Sequence, residues 1–380
     1  MANVASIHQN KSPLQILSLA LANQFVERQE AIQAMLIAVL ACEHVYLLGP
    51  PGTAKSALIR AIAEALGRSN FEWLMTLFTT PDELFGPVKL SAMKNDSYER
   101  AITGKLPMAE FVFLDEIFKA NSAIINSLLT AMNERKYHNG LAPIKMPLMS
   151  LFGASNELPQ DESLVALRDR FLITVYVEPI SERDNFKLMM RAGDFQPINS
   201  GIDIVHEQKQ VTLVNLTPET DEAFADLWAA CKANGRHVSD RRFRKSQKLV
   251  QAYAHLEGRT ITIPDDLTIM EHVLWNEPSE RTEVARLVQT VINPNAAKAV
   301  KCVDDARDLR KRIPVTVPKQ GDPTRKDYLA TCSESNANIA EILEKINLLG
   351  KGKKIDSARI EVQKIQAEID TLSMQAMRGK

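Results

Sequence analysis

Cysteine is scarce in this chain, and the way it is spread excludes several classes of protein. Cys42, Cys231, Cys302 and Cys332 lie far apart and form no metal-ligand spacing. They read as reduced thiols, not as a disulfide framework or a zinc site. Long apolar runs are missing as well. The longest, Ala31 to Cys42, is too short to cross a bilayer and contains Gln33. No basic–apolar–small leader pattern opens the chain, so a cytoplasmic protein without membrane insertion is expected. An excess of one charge is also lacking. The 46 Lys and Arg against 47 Asp and Glu leave a net charge of −1, which gives no global field for nucleic acid. What is present is 380 residues, 45 % apolar and 24 % charged, an ordinary globular composition with room for two or three domains.

The most informative stretch is Gly49-Pro50-Pro51-Gly52-Thr53-Ala54-Lys55-Ser56, directly after the apolar run His44 to Leu48. It reads as a strand breaking into a glycine-rich loop that opens a helix. Backbone N–H groups and a lysine at a helix N-terminus form a phosphate cradle. Ala54 stands where the G-x-x-x-x-G-K-[S/T] pattern has its second glycine, which is acceptable if that position has helical dihedrals. Lys55 would then reach the β- and γ-phosphates, and Ser56 would coordinate Mg²⁺.

Two further apolar runs end in polar residues. Phe111 to Leu114 leads into Asp115-Glu116, and Leu148 to Ala154 leads into Ser155-Asn156. A carboxylate pair at the end of a buried strand suits a cation and an activated water. Asn156, on a neighbouring strand end, could orient that water. Ligands of open α/β sheets bind outside the carboxyl ends of the strands, where these residues would meet.

The apolar pattern predicts helices over Pro13–Phe25 and Glu30–Ala41, then strands near 44–48, 71–75, 110–114, 148–153 and 171–177. The fold class expected is a three-layer α/β core with a parallel sheet over 1–180. A mainly helical domain follows over 181–280, with Ser181 as a helix cap and helix starts at Thr217-Pro218 and Pro264-Asp265. Val205 to Leu216 reads as a short hairpin. Residues 281–380 carry two helical seams joined by a turn at Gly350–Lys354, with a third helix over 296–312. They form either an intramolecular bundle or a dimerising coiled coil.

With these motifs in view, the chain resembles AAA+ ATPases of the MoxR family, and within it the RavA branch, over roughly residues 14–278. The resemblance rests on GPPGTAKS at 49–56, FTTPDELFGPV at 78–88, YERAITGKLPMAEFVFLDEIFKA at 98–120, LLTAMNERKYHNG at 128–140 and ASNELP at 154–159. It implies ATP and Mg²⁺ as cofactors and ATP hydrolysis as the reaction. Gly49 to Ala57 would cradle the nucleotide, Ser56 and Asp115 would hold Mg²⁺, and Glu116 would activate water. Asn156 would be the sensor of the core. Arg170, in Asp169-Arg170-Phe171, would be an arginine finger reaching the neighbouring subunit, with Arg168 as its alternative. Arg241 would be the lid sensor reading the γ-phosphate, with Arg242 as its alternative.

The same resemblance implies a homo-hexameric ring that remodels a protein client with a von Willebrand A domain partner. A nucleic-acid-linked motor or defence ATPase is the alternative, and balanced insert charges disfavour it. Residues 79–107 resemble a helix-2 insert and 136–147 a hairpin before the sensor strand. In that hairpin Tyr137, His138, Lys145 and Met146 are candidates for client contact. Residues Phe25 to Ile32 are candidate walls for the adenine. The RavA branch carries an extra β-rich module between helices of its C-terminal bundle. This chain has only the turn at 350–354 there.

Overall fold

The computed structural model describes residues 11–378 apart from Asn95, Leu141, Gln160, Ala192, Asp194, Val315, Lys319, Gln320, Lys351 and Gly352. Part of the turn expected at 350–354, and the far end of the helix expected from Ser181 to Ala192, lie outside the described residues. The chain divides into two compact units, Met1–Val284 and Ala285–Lys380.

The first unit opens with α1 (Pro13–Gln24), which starts in a reciprocal cap between Ser12 and Gln15. Then comes α2 (Gln29–Ala41), whose apolar residues are buried all round, as a helix inside a core must be. The parallel sheet is built from β1 (Val45–Leu48), β2 (Asn70–Leu74), β3 (Phe111–Asp115), β6 (Ser150–Ser155) and β7 (Ile173–Tyr176). Its strand order is β2-β3-β6-β1-β7, so β1 lies between β6 and β7. The strands β1, β3 and β6 are short apolar runs rather than alternating ones, because helices cover both faces of a parallel sheet. Helix α3 (Lys55–Ala65) follows β1.

Between β2 and β3 the chain makes α4 (Pro81–Phe85) and α5 (Leu90–Met93). The bridge Val88–Arg100 closes this insert into a hairpin-like loop. Gly86 turns it with φ +93°, and a Cβ there would sit 2.0 Å from the Ala101 carbonyl oxygen, so no side chain fits. Helix α6 (Ser122–Glu134) ends at Arg135, which is left-handed at φ 54° and opens the antiparallel pair β4 (Lys136–Asn139) and β5 (Ala142–Lys145). Asn139 bonds this hairpin to the insert twice: its Oδ1 accepts from Arg100 N at 2.7 Å and its Nδ2 donates to Arg100 O at 3.2 Å. The rings of Phe85 and Tyr137 stack beside it at 5.2 Å. Tyr137 and Met146 are therefore buried and face the protein, while His138 and Lys145 are exposed. Of the four hairpin residues offered for client contact, the structure removes Tyr137 and Met146.

Beyond α7 (Glu162–Arg168) and β7, helix α8 (Arg183–Arg191) begins two residues after Ser181. Ser181 does not cap it in the expected way; its hydroxyl donates to Glu27 at 3.2 Å. The expected hairpin at 205–216 is instead the helix α9 (Ile204–Val211). Asp203 caps it through Val205 N and His206 N, and Ile204 and Val211 bury one face at a spacing of two turns. The lid is completed by α10 (Pro218–Ala233), capped by Thr217, α11 (Asp240–Leu256), capped by Ser239, and a 3₁₀ segment Pro264–His272. Helix α12 (Arg281–Ile292) spans the division between the units.

In the second unit α13 (Pro294–Lys311), α14 (Arg325–Leu348) and α15 (Lys353–Arg378) form a three-helix bundle. Ile339, Ile342, Ile346, Val362, Ile365 and Ile369 share its core with Ala299, Val303 and Ala306. The two seams thus meet each other and α13 within one chain. Among the described residues no helix is long and apolar enough to cross a membrane.

Candidate functional site

Gly49 leaves β1 between the ends of two strands. Its N–H donates to Ser155 O at 3.1 Å, and a Cβ would lie 2.2 Å from Val177 O. Only glycine lets the loop start here. Thr53 Oγ1 then donates to Pro50 O at 3.0 Å, and Lys55 Nζ donates to Gly49 O at 2.7 Å and Pro50 O at 2.9 Å. The loop Gly49, Pro50, Pro51, Gly52, Thr53 and Ala54 therefore folds back so that its first two carbonyls meet the lysine, ahead of Ser56 and Ala57 in the first turn of α3. Burial lowers the Lys55 pKa, opposed by the nearby Asp115 and Glu116 carboxylates. A buried ammonium beside acidic strand ends, behind a loop whose first residue leaves no room for a Cβ, is the donor set that fits nucleotide phosphates with a divalent ion. Ser56 and Asp115 are the residues that would supply oxygen ligands for such an ion.

Ala54 departs from the sequence expectation. Its φ of 64° and ψ of 23° are left-handed, not helical. This conformation costs an L-residue roughly 1–2 kcal/mol. The position keeps the geometry glycine would give it, and the alanine carries the strain.

Glu116 is the second left-handed residue of the site, at φ 52°. Its N–H donates to Asp115 Oδ1 at 3.0 Å. Its Oε1 accepts from Asn156 Nδ2 at 2.9 Å, and Lys119 Nζ stands 3.5 Å from Oε2. The carboxylate is thus aimed from two sides. Asn156 meets Glu116 directly, whereas the sequence had it facing water. Lys119 escaped the sequence reading; its spacing of three residues from Glu116 is the signal that could have found it.

One other neighbour of the loop, Arg28, had no role of its own in the sequence reading. Arg28 Nε donates to Thr53 O at 3.1 Å from within the 25–32 segment. Phe25 of the same segment packs on Phe195 at 5.6 Å, while Ile32 lies in the core. The adenine wall expected there thus contains a buried cation at its loop end.

The remaining arginines occupy a different place. Asp169, Arg170, Leu172, Ser239, Arg241, Arg242 and Lys245 line one cleft. It lies where the chain enters β7 and β1: Arg242 Nη2 donates to Phe171 O at 3.1 Å and Leu172 O at 2.9 Å, and Lys245 Nζ meets Glu43 at 2.8 Å. These are the amino ends of the strands, and the phosphate loop is at the carboxyl ends. The structure therefore does not bring Arg241 to the phosphate loop of its own chain, as a sensor acting within one subunit would require.

Arg241 and Arg242 are also separated in role. Arg242 is buried, bonds Val273 O as well at 2.9 Å, and its pKa is pushed down to about 10 by burial. Arg241 is exposed and donates to Asn133 Oδ1 at 2.9 Å. Arg168 is bonded to the Asn276 carbonyl, and burial lowers its pKa. Arg170 has only Asp169 as an ion partner, at 3.3 Å, and its buried Nε has no partner among the described residues. Of these four arginines, Arg170 and Arg241 make the fewest bonds to their own chain.

Known proteins align with this arrangement. Residues 13–213 match the family described as the MoxR domain in the MoxR-vWA-beta-propeller ternary systems, and residues 219–288 match an AAA lid domain. An uncharacterized protein of Methanocaldococcus jannaschii is 39 % identical over 90 % of both chains. The Chaperone MoxR1 of Mycobacterium tuberculosis is 26 % identical over 45 % of this chain and 46 % of its own. The crystal structure of a proposed ATPase from Cytophaga hutchinsonii superposes with a TM-score of 0.59 at 16 % identity, covering 73 % of this chain and 93 % of that one, a likeness of fold. A family match spanning more than half of the residues, with the lid matched behind it, means that this chain belongs to the MoxR family of AAA+ ATPases.

Proposed function

We propose that the protein is a MoxR-type ATPase of the RavA branch, without the β-rich module, that works as a nucleotide-dependent ring, with six copies as the expected number. In this reading ATP sits on one copy's phosphate loop, and Arg170 and Arg241 of the next copy close the site. The observation that carries it is the separation within one chain: the phosphate cradle lies at the carboxyl ends of the strands, and the cleft lined by Arg170 and Arg241 lies at the amino ends. Cations that cannot serve their own cradle can serve a neighbour's, and such a finger can contribute about 10³–10⁵ in rate.

The chemistry follows from the residues at the strand ends. Lys55 exchanges its loop carbonyls for phosphate oxygens. Ser56 and Asp115 would hold Mg²⁺, which when bound would neutralise charge on the phosphates. Glu116 accepts a proton from the attacking water, and Asn156 and Lys119 fix the direction of its carboxylate. Arg170 stabilises charge on the transferring group. The work done on a client comes from the difference in affinity between the ATP and ADP states, since nothing else shifts such an equilibrium.

The client is a protein, and a von Willebrand A domain protein is the expected partner. The MoxR family description and the chaperone relative support this. A nucleic-acid motor is disfavoured because three cations of the insert and hairpin have acidic partners: Lys89 with Glu99 at 3.3 Å, Lys136 with Glu134 at 3.9 Å, and Arg100 with Asp82.

Mixing tests the shared site. Arg170→Ala and Glu116→Gln chains are each expected to be inactive alone. Mixed, the intact Arg170 of one faces the intact Glu116 of the other, and part of the ATPase activity returns. Inactive mixtures that still co-assemble would refute a site shared between copies.

A further inference from the structure

Arg28 opens the approach to α2 with only 7 % of its surface exposed. A charge so placed is costly unless its hydrogen bonds serve a purpose. Its Nε donates to Thr53 O at 3.1 Å and its Nη1 to Glu27 O at 2.9 Å. The carbonyl it holds belongs to the peptide joining Thr53 to Ala54, and Ala54 is the strained residue at φ 64°. Strain of this kind persists only where the surroundings over-determine it. Among the described residues, three side chains make four hydrogen bonds to this loop: Thr53 Oγ1 on Pro50, Lys55 Nζ on Gly49 and on Pro50, and Arg28 on Thr53. Of the three side chains, Arg28 alone reaches in from a part of the chain distant in sequence, and it alone acts on the strained peptide itself.

Arg28 is in turn anchored. Glu27 is left-handed at φ 56°, and its carboxylate accepts from Ser181 N at 2.9 Å, Ser181 Oγ at 3.2 Å, Glu182 N at 3.1 Å and Asn185 Nδ2 at 3.0 Å. The Glu27-Arg28 pair therefore brackets the phosphate loop on one side and the start of α8 on the other.

We propose that Arg28 is a positioning residue for the phosphate loop: its guanidinium holds the Thr53–Ala54 peptide in the left-handed orientation that receives ATP. The inference rests on the nucleotide reading of the cradle. It assigns Arg28 an effect that runs through Ala54, and this makes it separable from general packing. Glycine at position 54 adopts the same conformation without strain. A loop that needs no holding does not need Arg28.

The test is a double-mutant cycle on the full chain, read as the dissociation constant for ATP with magnesium. Arg28→Ala is expected to weaken ATP binding about tenfold in the chain with Ala54, and less than about twofold in the Ala54→Gly background. Arg28→Met keeps the bulk without the donors, is expected to behave the same way, and covers the case in which Arg28→Ala does not fold. Equal losses in both backgrounds, or no loss in either, would overturn the role assigned to Arg28. Failure of the unaltered chain to bind ATP is a separate result, and it would overturn the nucleotide reading together with this one.

Discussion

Glu116 shows how much of the site depends on single side chains. Asn156 and Lys119 grip its two oxygens, and its left-handed backbone turns the carboxylate off the end of β3. Glu116→Gln keeps the shape and an acceptor for Asn156 but loses the proton acceptor. Nucleotide affinity should stay within about threefold, while the hydrolysis rate falls by about 10²–10⁴. Calorimetric binding and a phosphate-release assay on one preparation would separate the two effects; undiminished turnover removes Glu116 from the chemistry. The positions of the phosphate loop, Glu116 and Asn156 were readable because each motif is local: a glycine loop after one strand, an acidic pair after another, an asparagine after a third; Lys119 belongs to no such motif. Arg28 was not readable, since its bond to Thr53 spans 25 residues and depends on where α2 packs. Ala54 was misjudged for a related reason, because its dihedrals are set by contacts from both sides of the loop.

At the scale of elements, the start of α11 is the informative case. Arg241 and Arg242 are adjacent, and successive helical residues point about 100° apart. Both border the cleft, but Arg241 is exposed there while Arg242 latches the helix to the entrance of β7. Sequence cannot say which is which until the helix is docked. Arg242→Ala leaves the carbonyls of Phe171, Leu172 and Val273 without their donor and should cost about 3 kcal/mol, seen as a lower midpoint in urea. Arg241→Ala should change stability by less than about 0.5 kcal/mol and still depress ATPase activity. The reverse pattern would exchange their roles. The hairpin 136–145 teaches the same lesson. Its position was legible, but which of its faces points inward depends on Phe85 from the insert. The segment 205–216 was misread because alternating apolar residues outweighed the cap at Asp203, which decides for a helix.

For the whole molecule, buried histidines link the fold to pH. His44 sits under the sheet, where its Nδ1 accepts from Leu151 N at 2.9 Å. Burial pushes its pKa well below 6.5, with the Arg135 guanidinium adding to the effect. His272 is likewise lowered by burial, with Glu30 opposing. In the unfolded chain both take up protons as the pH falls below about 6.5; in the folded chain they resist. The stability they lend is complete above that value and is lost below it, by up to about 1.4 kcal/mol per pH unit for each histidine. Melting temperatures should therefore be flat from pH 8 to 7 and decline toward pH 5.5. His44→Asn should flatten part of that decline while lowering the melting temperature at pH 8. A slope unchanged by this substitution would move the linkage elsewhere.

Arg100 and Asn139 have a further consequence. An amide that imitates a strand partner rivets two outgrowths of the core together, one rooted at Gly86 and the other at Arg135. Neither can swing by itself. Any tilt of α6 must travel outward through both at once, so what this ATPase holds out toward its surroundings is one stiff arm with two shoulders, in place of a pair of independent fingers.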